Sequence, residues 1–224
     1  MRDRKRTNRG GAMLEFTLLT PVWLPLLLGT MWIGSAMIRG LQVTQVARDA
    51  ASMFCRAVDF STGTGTASND ILAKVTQELG TVTPTGTGVV IFSTLTYVGD
   101  SVCFMAGSAY HDSATPPKHT GSCTNYGKFV FTQRYLVGNS GLRSSNFGAP
   151  DTADLDSTKQ YTIPITKYVT NTADVATFSL LPKPLEDGTD GYQSGQPVYV
   201  VEAFFSGTGQ VGYTQGGSYA YAIF

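Results

Sequence analysis

Hydrophobic and polar positions divide the chain into three stretches. From Phe16 to Ile38 the sequence FTLLTPVWLPLLLGTMWIGSAMI gives 23 almost uninterrupted apolar positions. Glu15 is the only ionisable side chain between Gly10 and Ile38. A helix of that length spans roughly 35 Å, enough for a hydrocarbon core of about 30 Å. Pro21 and Pro25 lie inside the run. Each removes a backbone donor and favours a kink, which a lipid-embedded helix tolerates when a neighbouring helix satisfies the freed carbonyls.

Past Ile38 the pattern becomes amphipathic with helical period. In RGLQVTQVARDAASMFCRAV, residues Leu41, Val46, Ala50, Met53, Phe54 and Ala57 form the expected apolar face, and Gln42, Gln45, Arg48, Asp49 and Arg56 the wet one. One helix over residues 11–58 is therefore expected, membrane-spanning to about residue 38, with a sheet to cover its later apolar face. DFSTGTGTASND (59–70) reads as a connector, and Ser68 or Asn69 as the cap of a short second helix. That helix places Ile71, Leu72, Val75 and Leu79 on one face and ends at Gly80.

Beyond residue 88 the period shortens to that of strands. The candidates are Val89–Val98, Lys128–Val137, Gln160–Thr166, Val175–Leu181, Pro197–Phe205 and Ser218–Phe224. Strict alternation puts Phe129, Phe131, Gln133 and Tyr135 on one face, opposite Val130, Thr132, Arg134 and Leu136. Pro164 pushes its segment to a sheet edge or breaks it. Tyr219, Tyr221 and Ile223 share a side, and the last strand is expected to tie the chain end into the sheet. GNSGLRSSNFGAPDTADLDSTK is a long loop with surface for partners. The fold class is thus α+β: a long N-terminal transmembrane helix continuing into a domain (59–224) with an antiparallel sheet.

Charge sets the orientation. The formal net charge is zero, but residues 1–10 carry five basic side chains against Asp3, leaving 11 basic and 15 acidic ones in the remainder. The body lacks the basic excess of a nucleic-acid binder. The basic cluster before the span is expected to place the N-terminus in the cytoplasm and the body outside. A cleavable secretory signal is the competing reading: the leader is basic, and Gly34–Ala36 offers a small-x-small site that would leave Met37 first. The length of the apolar run, its charge and its two prolines fit that reading poorly.

A basic leader ending in glycine, a glutamate five residues after the first glycine, an aromatic and then an apolar helix resemble a prepilin-type signal. GGAMLEFTLLTPVWLPLLLGTMWIGSAMIRGLQVTQVARDAA is most similar to TadE-like minor pseudopilins of the tight-adherence (Tad) pilus, through Glu15-Phe16, Pro21, the leucine-rich run and ARDAA at 47–51. The resemblance covers roughly residues 8–58. It implies a pilin-like shape, processing by prepilin peptidase between Gly10 and Gly11, recognition of Gly10, Gly11, Glu15 and Phe16, and an assembly role for Gly11 and Glu15. The freed Gly11 amine, cationic near neutral pH, would pair with the Glu15 of a neighbouring subunit. Other pilins or pseudopilins, met through the N-terminal helix, and the inner membrane are the implied partners.

Cys55, Cys103 and Cys123 fall on the outer, oxidising side. Three pairings exist. Sequence alone does not choose among them; Cys103–Cys123, the candidate, would close a polar loop of about 20 residues and stabilise by roughly 3 kcal/mol, leaving Cys55 free or paired with another chain. The rival is a metal site from Cys103, His111, His119 and Cys123, but C-x7-H-x7-H-x3-C is no familiar zinc spacing. No metal, cofactor or catalytic site is expected. The Gly-Thr repeats lack the Gly-Lys-Ser/Thr of a phosphate loop, GNSGL is no nucleophile elbow, and EDGTDG (186–191) lacks alternating calcium ligands. The functional expectation is a structural minor pseudopilin that supports pilus or secretion-apparatus assembly. The alternatives are a membrane-anchored binding module or adhesin, and an envelope enzyme.

Overall fold

A computed structural model describes residues 9–60, 67–107, 109–111, 118–120, 123–151, 153, 161–162, 165–177, 193–207 and 216–224. The chain divides into two compact units, residues 1–41 and 42–224. Helix α1 runs Arg9–Cys55, and its residues up to Leu41 make the described part of the first unit. Pro21 and Pro25 lie within it. The helix ends where Ala57 turns into the left-handed region, at φ 60°.

In the second unit the last turns of α1 pack Val43, Val46, Ala47, Ala50, Ala51 and Phe54 into the main core. These positions recur at three- and four-residue steps, as a buried helix stripe must. The stripe differs from the expected one. Leu41 is 71% exposed and Ala57 lies past the helix end, whereas Val43, Ala47 and Ala51 are buried. Helix α2, Ala67–Thr76, likewise turns from its expected face. Leu72 and Leu79 are buried, with Thr76 between them, while Ile71 and Val75 face outward. Thr76 fits there because its hydroxyl donates to Leu72 O at 2.9 Å.

Strands β1 (Gly88–Tyr97), β4 (Phe129–Gly138), β5 (Tyr161–Thr162), β6 (Pro197–Phe205) and β7 (Ser218–Ile223) form one sheet, in the order β5-β4-β1-β6-β7. All neighbours are antiparallel. Central β1 is buried at every position, which its apolar run GVVIFSTLTY requires. One sheet face meets α1 and α2 through Val90, Phe92, Val137, Val201, Ala203 and Phe205. The other buries Leu95, Phe131, Val198 and Val200 beneath Phe147. The α+β architecture with an antiparallel sheet is as the sequence indicates.

Register corrects one expectation. Thr94 pairs with Gln133 but Leu95 with Phe131, so Thr132 is an extra residue, a β-bulge. The alternation therefore slips: Phe131 joins the Phe147 side while Tyr135 packs with the α1 side. Thr132 donates its hydroxyl to Thr94 O at 3.2 Å, which anchors the bulge.

Two strand candidates shrink. The segment around 160–166 pairs only at Tyr161–Thr162, on the sheet edge, and becomes helical at α4, Ile165–Tyr168. Pro164 and residue 163 lie outside the described residues. Of Val175–Leu181, Val175 makes one isolated bridge to Val130, and 178–181 lie outside the described residues. The same holds for 61–66 of the connector, for EDGTDG, and for residues 1–8 of the leader. Between β1 and β4 stand α3 (Asp100–Met105) and the small hairpin β2 (Ala109–His111) with β3 (Lys118–Thr120), which the sequence pattern did not indicate. At the chain end, Phe224 exchanges two backbone hydrogen bonds with Tyr199, at 2.8 and 2.9 Å.

Candidate assembly site and a second glutamate

Gly10 and Gly11 lie in the first turns of α1, and Glu15 stands one turn after Gly11, on the same side of the helix. Around Gly11 the space is open: a Cβ built there meets nothing within 4 Å. Glu15 is exposed, and among the described residues its carboxylate has no hydrogen-bond or ion-pair partner. Its surroundings on the helix are apolar and uncovered, with Phe16 72% and Trp23 68% exposed. Met13–Cys55 is long and apolar enough to cross a membrane, with a mean hydropathy of 1.6 over its best 18 residues, none of them buried. The hydroxyls in this stretch turn inward. Thr17 donates to Met13 O and Leu14 O, Thr20 to Phe16 O, Thr30 to Leu27 O and Ser35 to Trp32 O. From Met13 to Ile38 the exposed side chains of the helix are thus mainly apolar, with Glu15 the one carboxylate.

The second unit holds another glutamate in an apolar run, which the sequence reading passed over. Glu202 of β6 is 2% exposed. It accepts Ser145 Oγ–H, the Asn146 N–H at 2.8 Å and the Tyr219 hydroxyl at 2.7 Å. Its signal was in the sequence: one charge interrupts PVYVVEAFF as Glu15 interrupts its own run. Burial, and next the hydrogen bond to Glu202, push the Tyr219 hydroxyl well above the usual tyrosine range. Arg143 lies over the Tyr219 ring, 4.0 Å from its centroid, and donates to Asn146 Oδ1 at 3.1 Å. Arg134, nearly buried, donates to Gly148 O at 2.7 Å. Burial lowers its pKa, and the Glu202 charge opposes that shift. This network fastens the described part of the loop after β4, residues 139–151, onto the sheet, so that Phe147 is fully buried.

Cys103 and Cys123 are joined in a disulfide, with Cα atoms 5.7 Å apart. Both sulfurs are thereby removed from the four-ligand metal set. His111 and His119 stand in β2 and β3, and their side chains lie outside the description. Among the described residues no group of three or more His, Cys, Asp or Glu is arranged to hold a metal. Cys55 is a free thiol, and burial raises its pKa, away from the reactive thiolate.

A family model described as TadE-like protein matches residues 10–52. No curated protein and no solved structure matches the chain. The matched span begins at Gly10, contains Gly11, Glu15, Phe16 and both prolines, and ends in the buried stripe of α1. That family implies a pilin-like protein associated with the Tad pilus, and the one long apolar helix among the described residues is consistent with a membrane anchor. Over its N-terminal region, residues 10–52, the chain thus carries the sequence pattern of the TadE-like protein family.

Proposed function

We propose that this chain is a minor pseudopilin, a structural subunit that supports assembly of a Tad-type pilus or secretion apparatus. Prepilin peptidase cuts between Gly10 and Gly11 on the cytoplasmic face. The helix from Gly11 stays in the inner membrane, and the sheet unit lies in the periplasm. The freed Gly11 amine meets Glu15 of a neighbouring pilin or pseudopilin. The observation that carries this reading is Glu15 itself: an exposed carboxylate without a partner among the described residues, at the head of an apolar helix. A charge in a lipid-facing helix costs about 2.5–3.5 kcal/mol at the bilayer centre. Its position near one end reduces that cost, and a cationic amine on a neighbour would remove more. Glu202 shows the contrast, since Ser145, Asn146 and Tyr219 already donate to its carboxylate.

The test is the intact mass of the membrane-extracted protein from cells with and without prepilin peptidase. The expected result is loss of residues 1–10 only when the peptidase is present, giving a chain that begins at Gly11. A mature chain beginning at Met37 in both strains would identify a secretory signal and overturn the proposal.

A further inference from the structure

Asn125 and Asp174 are both fully buried, and each keeps one side-chain oxygen without a hydrogen-bond partner, Oδ1 of Asn125 and Oδ2 of Asp174. The amide of Asn125 has only one workable orientation. Its Nδ2 donates to Tyr168 O at 2.8 Å and to Asn171 O at 2.7 Å, and turning it over would set an oxygen against two carbonyls. The carboxylate of Asp174 receives one donor, the Asp151 N–H, on Oδ1 at 3.0 Å. The two residues share a neighbour: Asn171 O accepts both Asn125 Nδ2 and the Asp174 main-chain N–H, the latter at 3.3 Å. Asp151 adds a second carboxylate, held by Asn171 Nδ2 at 3.2 Å and by the Ala153 N–H at 3.0 Å. Lys167 bears electrostatically on Asp151.

The cluster is therefore rich in acceptors. A buried carboxylate is unfavourable unless it is paired or bound to a metal. Water would bring protons but no charge. The unpartnered atoms are all oxygens, which suits a hard cation of the calcium class rather than zinc or copper. Such ions take amide oxygens, main-chain carbonyls and waters beside one or two carboxylates, so three acidic or histidine ligands are not required.

We propose that Asp174 Oδ2 and Asn125 Oδ1, with Asp151 beside them, bind a calcium-class cation that ties the turn at 123–127 to the segment 168–174. The site is independent of the pilin reading.

The test uses the full chain in detergent, stripped with a chelator and then titrated with calcium or with terbium. Calcium is expected to raise the melting temperature by several degrees. Terbium luminescence excited through tyrosine is expected to appear and to be displaced by calcium. Asp174→Asn should abolish both responses, whereas Asp151→Asn should weaken calcium binding several-fold. Without a cation the outcome differs: Asp174→Asn is neutral or stabilising with and without calcium, Asp151→Asn leaves the calcium titration flat as in the parent, and the chelator changes nothing. That pattern would overturn the proposal in favour of buried water. A calcium response that survives in Asp174→Asn would overturn it as well, by placing the ion elsewhere.

Discussion

Two glutamates in apolar runs resolve the same difficulty in different ways. Glu202 is buried and meets three donors, from Ser145, Asn146 and Tyr219. Truncating it leaves those donors facing apolar surface and releases the loop that covers Leu95 and Phe131. Hydrogen bonds to a charged group contribute about 1.5–3 kcal/mol each, and they are not additive here because they share one carboxylate. Glu202→Ala is expected to destabilise the protein by about 3 kcal/mol, read as a lower urea midpoint. An unchanged midpoint would show that the network is idle. Tyr219 gives a pH dependence. Its folded pKa is raised, first by burial and then by the bond to Glu202. An unfolded tyrosine ionises near pH 10. The stabilisation is thus complete below about pH 10 and is lost as pH rises beyond it, because only the unfolded chain releases the proton. Tyr168, also raised by burial, adds to the same slope. Melting temperatures between neutral pH and strongly alkaline pH should fall less steeply in Tyr219→Phe than in the parent.

At the scale of elements, legibility followed periodicity. β6 has the bounds its apolar run suggested, Pro197–Phe205, and β1, β4 and β7 lie within a residue of theirs. Faces were harder to read than elements. The bulge at Thr132 breaks a two-residue period that the sequence displays intact, and only pairing with β1 reveals the extra residue. The stripe on α1 was only partly legible: its sequence pattern includes Val46, Ala50 and Phe54 but misses Val43, Ala47 and Ala51. Alanine carries little hydrophobic signal, yet Ala47 and Ala51 are buried beside Ala50 in the core that the helix shares with the sheet. Glu15 was legible as an interruption, but the Glu202 network depends on contacts 57 residues apart in sequence, from Ser145 to Glu202, and no spacing rule announces that. These small and large positions respond oppositely. Phe54 makes edge contacts with Phe92, Tyr135 and Tyr199, at centroid distances of 5.3, 6.2 and 5.3 Å. Phe54→Ala should cost about 3–5 kcal/mol through the cavity left behind. Ala47→Leu should cost about 1–3 kcal/mol by overpacking. Denaturant unfolding of both variants checks the helix-to-sheet contact; a tolerated leucine at 47 would mean the two layers are not in close contact.

For the whole chain, the decisive fact is that α1 is one helix in sequence but serves two units. Up to Leu41 its large side chains are uncovered, whereas from Val43 to Phe54 they belong to the core of the sheet unit. The place of a truncation therefore matters more than its length. Removing residues 1–41 takes away most of the exposed large apolar side chains and none of the buried stripe. The remainder carries 10 basic and 14 acidic side chains, a net charge that favours solubility. Removing residues 1–55 takes two valines, three alanines and Phe54 out of the core. By area bookkeeping that loss is on the order of 6–10 kcal/mol, comparable to the whole stability of a typical domain, about 5–15 kcal/mol. Exported to an oxidising compartment, so that Cys103 and Cys123 can pair, the 42–224 fragment should be soluble without detergent and melt cooperatively. The 56–224 fragment should aggregate, or show exposed Phe92, Val201 and Phe205 as dye-binding surface with no cooperative transition. Size exclusion and thermal melts of the two fragments decide it. If both melt alike, the end of α1 is an ornament on the sheet rather than part of its core. If 42–224 needs detergent, apolar surface beyond the anchor remains uncovered.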